Sequence, residues 1–173
     1  MSTRRATGSR AALFVMTAAV VLVVDVVTKS VAVGVLTPGE RVWLFGQSVS
    51  CLLIRNPGAA LAWGESQPAL LTLLVCAVVC AIAWRGSTVV SPGAAVGLGL
   101  VLGGSVGNLT DRLFRAPGPL RGAVVDFLSL GWSPTFNAAD VCVLVGVVTL
   151  AWLVLTETAA PAAERVWSAD DAF

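Results

Sequence analysis

The sequence predicts an all-α membrane protein, four transmembrane helices with a small extracytoplasmic β-hairpin or cradle. Three observations point there. Of 173 residues, 57% are hydrophobic and only 12% charged, whereas soluble domains carry about 25% charged residues. Four apolar stretches approach or exceed the roughly 20 residues a spanning helix needs. Two long connections, about Val35 to Gln67 and Thr110 to Asn137, separate these stretches so that both fall on one side of the membrane. The whole of residues 1–173 is expected to form one domain.

Composition also narrows the chemistry. The net charge of +1 gives no basic field for nucleic acid. The chain has no histidine and no tyrosine, which removes the commonest metal ligand and a common acid–base group. Cys51, Cys76, Cys80 and Cys142 lie in apolar surroundings and read as small buried hydrophobes. Neither a disulfide, a metal nor a cofactor is expected.

The first helix runs from about Ala11 to Gly34. Arg4, Arg5 and Arg10 precede it, as they would a signal peptide. The apolar stretch nevertheless continues past Asp25 and Lys29 without a convincing cleavage site, so a retained helix is expected. Asp25 and Lys29 stand i, i+4, acid first, the favourable order for an ion pair on a helix. That pair is expected to anchor the helix end or a neighbouring loop.

Val42–Phe45 and Val49–Ile54 flank Gly46-Gln47-Ser48 and read as a hairpin. Two isolated strands are marginally stable, so this hairpin must rest on the membrane or the helices. Arg55-Asn56-Pro57-Gly58 follows; Asn56 offers donors and an acceptor, and Gly58 permits a sharp turn or close approach. By spacing alone this is an ordinary turn into the second helix, about Pro68 to Trp84.

The third helix runs from about Pro92 to Leu109. Gly99, Gly103 and Gly107 recur every four residues, spacing that lets membrane helices approach closely. The same glycines superficially suggest a dinucleotide loop, but no strand–turn–helix surrounds them. Asn108, Asp111 and Arg112 close the helix, with Asn108 and Arg112 on one face. An Asp111–Arg112 salt bridge is the bland alternative to a substrate contact.

Asp126 sits inside the apolar run Val124–Leu128, where an unpaired carboxylate is costly. Asn137 and Asp140 open the fourth helix, about Ala138 to Thr156, with capping-box spacing. The helix dipole favours an ionised Asp140. Two acids that share a site can divide the labour of base and acid. Asp140 is the expected base and Asp126 the expected carrier of the shared proton. Residues 157–173 form a polar, Ala-rich tail, expected to be frayed.

Orientation rests on the N-terminal arginines. With that end inside, arginines divide five against five between the two sides, and the first helix decides. Both termini are then cytoplasmic and both long connections outside.

Together these segments resemble the lipoprotein signal peptidase (signal peptidase II) family of bacterial membrane aspartyl peptidases. The matching residues are Asp25 with Thr28-Lys29, Asn56-Pro-Gly58-Ala-Ala60, Gly103 through Asn108 to Asp111-Arg112, Val124-Val125-Asp126-Phe127, and Phe136-Asn137-Ala-Ala-Asp140. They occur in family order from the first helix to the fourth. The resemblance implies removal of signal peptides from prolipoproteins by cleavage before a diacylglyceryl-modified cysteine. It implies a catalytic dyad at Asp126 and Asp140, and supporting or substrate-binding roles for Asp25, Lys29, Asn56, Gly58, Asn108, Asp111, Arg112 and Asn137. It also implies inhibition by the cyclic peptide globomycin and a place in the bacterial plasma membrane. The expected partners are a lipidated prolipoprotein and membrane lipid, with the enzyme a monomer. Leu61 departs from the family's frequent Phe, and Leu113–Ala123 is longer than usual, as an outer loop over the site. The rival reading, a proton-coupled transporter with Asp25, Asp126 and Asp140 as a relay, expects internal repeats, and none is evident.

Overall fold

A computed structural model of the chain describes residues 2–58, 64–86, 88, 91–131 and 133–159. Its elements are α1 (Ser2–Val35), β1 (Arg41–Phe45), β2 (Val49–Asn56), α2 (Pro68–Gly86), α3 (Pro92–Phe114), β3 (Val124–Ser129) and α4 (Ala138–Ala159). Ala59, Ala60 and Leu61 of the turn motif, and the tail from 160 onward, lie outside the described residues. All four helices contain stretches long and apolar enough to cross a membrane.

Helix α3 is the hub, and its glycines make it so. Gly99, Gly103 and Gly107 face α1, where a Cβ added at Gly103 would lie 2.5 Å from the Ala18 carbonyl oxygen. Gly97 and Gly104 face α4, where a Cβ at Gly104 would lie 2.6 Å from the Ala139 carbonyl oxygen. The first stripe follows the four-residue spacing; a second stripe, offset round the helix, serves the other neighbour. Small residues at such crossings let backbones pack directly, the main source of helix association in lipid. At the end opposite the sheet, Ile82 of helix α2 packs against buried Phe14 and Ala95. The outward faces of α1 and α4 expose Val20, Val23, Leu144 and Leu155, among others, as surfaces solvated by lipid do.

Helix α3 continues past the expected end at Leu109 to Phe114. Asn108, Asp111 and Arg112 are therefore helical, with their backbone groups satisfied inside the helix. Ser91 caps its start by accepting from the Ala94 N–H at 3.2 Å, and Pro92 occupies the first turn, where its missing donor costs nothing.

The hairpin does not stand alone. β3 pairs antiparallel with β2, giving the sheet order β1-β2-β3. The third strand supplies the support that a lone hairpin lacks. Ile54 is opposite Asp126, and Arg55 opposite Val125. Leu53, Val125 and Phe127 pack on Ala32 of α1, seating the sheet on the end of the bundle. Register therefore decides which side chains meet: Asn56 and Asp126 share one face, and Arg55 points to the other.

Candidate active site

Nine polar positions singled out from sequence, together with Gly58, meet where the sheet rests on α1, α3 and α4. Lys29 is 1% exposed and organises one half. Its ammonium lies 2.7 Å from Asp25 Oδ2 and 3.0 Å from Asp111 Oδ2, and donates to Asn108 Oδ1 at 2.8 Å. These three partners match the three N–H donors of an ammonium. Asp25 Oδ1 accepts from the Ala139 N–H at 3.1 Å, one of the donors the first turn of α4 leaves free. The Asp25–Lys29 pair thus ties α1 to α3 and α4 in the interior, beyond the helix-end role expected of it.

Asp111 serves three neighbours. Oδ2 takes the Lys29 ion pair and the Val125 N–H at 3.1 Å, and Oδ1 pairs with Arg115 Nε. The expected Asp111–Arg112 bridge is not among these contacts. Arg112 instead donates through its guanidinium to the carbonyls of Pro57 at 3.1 Å and Gly58 at 2.5 Å. Asn56 Oδ1 accepts from the Gly58 N–H at 3.0 Å, closing an Asx turn. Arg112 and Asn56, expected to hold substrate backbone, have these donors and acceptors committed within the protein. Their geometry fixes the turn after β2.

The other half contains Asp126 and Asp140. Asp126 is 2% exposed. Its Oδ2 accepts from Asn56 Nδ2 at 3.0 Å and its Oδ1 from Asn137 Nδ2 at 2.6 Å. Asp140 Oδ1 accepts from Asn108 Nδ2 at 2.8 Å. Asp140 Oδ2 accepts from the Asn137 N–H at 3.1 Å, while Asn137 Oδ1 accepts from the Asp140 N–H at 3.0 Å. This is the capping box that the spacing predicts. Asn137, fully buried, therefore touches both acids, one through its side chain and one through its backbone.

The acids differ in surroundings. Asp126 is buried on the sheet, whereas Asp140 is half-buried at the helix start. Burial pushes the Asp126 carboxyl up to about 6, opposed by the Asn56 hydrogen bond and reinforced by the neighbouring Asp140 charge. Among the described residues, neither acid has an ion pair, and no cluster of three or more His, Cys, Asp or Glu residues is arranged to hold a metal.

Three supporting contacts escaped the sequence reading. Arg115 could have been found, since it stands i+4 from Asp111. Arg41 Nη1 donates to Ser50 Oγ at 2.7 Å and Ser129 Oγ at 3.2 Å across the sheet; only strand register brings these together. Thr72 Oγ1 donates to the Leu120 carbonyl at 2.9 Å, tying α2 to the loop after α3. No local pattern announces that contact.

A model of the signal peptidase II family matches residues 17–156. The chain is 52% identical over 146 residues to the lipoprotein signal peptidase of Mycolicibacterium smegmatis, covering 84% of this chain and 62% of that relative. It is 52% identical over 141 residues to the lipoprotein signal peptidase of Mycobacterium avium, covering 82% and 78%. Among solved structures, a bacterial membrane enzyme superposes with a TM-score of 0.76 at 23% identity, covering 84% of this chain and 89% of that one. That likeness supports the fold. With the family match running from α1 through α4, the chain belongs to the signal peptidase II family.

Proposed function

We propose that this chain is a membrane aspartyl endopeptidase that removes signal peptides from diacylglyceryl-modified prolipoproteins, cleaving before the lipidated cysteine. The observation that carries the reading is the pair of carboxylates held by one asparagine, Asn137, with Asp126 raised to about 6. Two acids in unlike settings can hold one proton between them. Asp140, at the helix start, activates a water that attacks the scissile carbonyl. Asp126 carries the proton, donates a hydrogen bond to the carbonyl oxygen and then helps protonate the leaving amine. No covalent intermediate and no cofactor is required.

Asp126 and Asp140 are the catalytic residues of this reading. Asn56, Asn108 and Asn137 orient them; Arg112 and Gly58 shape the adjoining turn; Asp25, Lys29 and Asp111 lock the helices beneath. The chain acts as a monomeric single domain in the bacterial plasma membrane. Both termini are cytoplasmic and the dyad faces outward, where water reaches it while the substrate's acyl chains stay in lipid. Incubation of the detergent-solubilised protein with a lipidated prolipoprotein peptide tests this, with globomycin as control. Globomycin-sensitive release of the signal peptide is expected. Intact substrate after prolonged incubation with folded protein contradicts the reading.

A further inference from the structure

Behind the dyad lies a second feature that the proposed chemistry does not use. Arg55 follows the face of β2 opposite to Asn56, and so points away from Asp126. With Arg115, Ala116, Pro117 and Ala123 it lines a cavity of about 540 Å³. Arg115 is held there by Asp111, which engages its Nε. Arg55 is exposed and has no ion pair among the described residues. Two guanidinium groups with an alanine and proline floor form a basic, partly apolar recess.

Its depth identifies the ligand class. Membrane-spanning α3 ends at Phe114, which is 81% exposed. The headgroup region begins where the apolar span ends, so Arg115, the next residue after Pro92–Phe114, lies where lipid phosphates are. Guanidinium groups match phosphate oxygens in geometry as well as charge.

We infer that the Arg55–Arg115 recess binds the phosphate of an anionic phospholipid headgroup, at a site separate from the dyad. A glycerol headgroup fits beside Ala116 and Pro117, whereas a choline cation is repelled by the second guanidinium.

The test uses the full chain in detergent, titrated with short-chain phosphatidylglycerol, phosphatidylcholine or inorganic phosphate and read by native mass spectrometry and thermal melting. Phosphatidylglycerol is expected to bind most tightly, with affinity falling as salt rises. Arg55→Gln is expected to weaken that binding about tenfold or more, the scale of a lost charge-assisted hydrogen bond. Arg121→Gln, an exposed arginine of the same loop that does not line the cavity, is expected to leave it unchanged. Unaltered phosphatidylglycerol binding in Arg55→Gln overturns the site. Equal binding of phosphatidylcholine overturns the anionic-headgroup assignment, and equal binding of inorganic phosphate overturns the lipid assignment. Wild-type protein that retains no phosphatidylglycerol overturns it without recourse to a variant.

Discussion

Two pairs of aspartates lie within one polar network and are held in opposite ways. Asp25 and Asp111 are gripped by cations, sharing Lys29, with Arg115 added on Asp111. Asp126 and Asp140 are held by neutral amides from Asn56, Asn108 and Asn137. A cation holds a carboxylate by charge as well as by hydrogen bond. An amide N–H orients a carboxylate without placing a formal charge beside it. The first pair is built as a structural lock, and the second is the dyad of the proposed reaction. Asn108 joins them, accepting from Lys29 and donating to Asp140.

Substitutions can break this division, and the largest effect is expected at the amide-held pair. Asp126→Asn and Asp140→Asn should each lower cleavage of a lipidated prolipoprotein peptide by about a thousandfold or more, with melting temperature near wild type. Substantial turnover in either purified variant defeats the dyad. At the cation-held pair the loss should appear in stability. Lys29→Met leaves buried Asp25 without a cation, while Asp111 keeps Arg115; removing one partner of a buried pair costs about 3–5 kcal/mol. Melting in detergent should drop markedly, and Asp25→Asn added to it should recover part of the loss. A Lys29→Met protein as stable as wild type would mean that the lock is not a lock.

A subtler change sharpens the contrast. If protonated Asp126 is the acid, kcat/KM should fall tenfold per pH unit above about 6. The Asn56 N–H favours the ionised form of Asp126, so Asn56→Ala should raise that pKa and move the falling limb to higher pH. Its maximal rate should drop about tenfold, through lost orientation. A limb that stays in place or moves down contradicts the assignment of that hydrogen bond. Smallest is Ser129→Ala, which deletes an acceptor for Arg41 outside both pairs. It should cost about 1 kcal/mol of stability and leave the pH profile untouched.

Much of this was legible in the sequence because membrane burial makes polar residues conspicuous. Asp25, Lys29, Asn108, Asp126 and Asp140 stand out against apolar runs, and four spans follow from hydropathy. The capping box of Asn137 and Asp140 is local, so spacing alone revealed it. Long-range pairing was hidden. β3 reads as an apolar run, and nothing within it shows that it completes the sheet with β2. Arg112 looked free to meet a ligand because its partners, the Pro57 and Gly58 carbonyls, are backbone atoms with no sequence signature. The second glycine stripe, Gly97 with Gly104, follows a seven-residue step that the four-residue pattern of Gly99, Gly103 and Gly107 obscures.

The central claim is that the shared proton resides on the amide-held pair and requires Asp126. Infrared titration of the carboxylic-acid carbonyl band in purified wild type and Asp126→Asn tests it most directly. A protonated-carboxyl band is expected in wild type, disappearing as pH rises through about 6 and missing from Asp126→Asn. The same band persisting unchanged in Asp126→Asn would place the proton on another carboxyl and rule out Asp126 as its carrier.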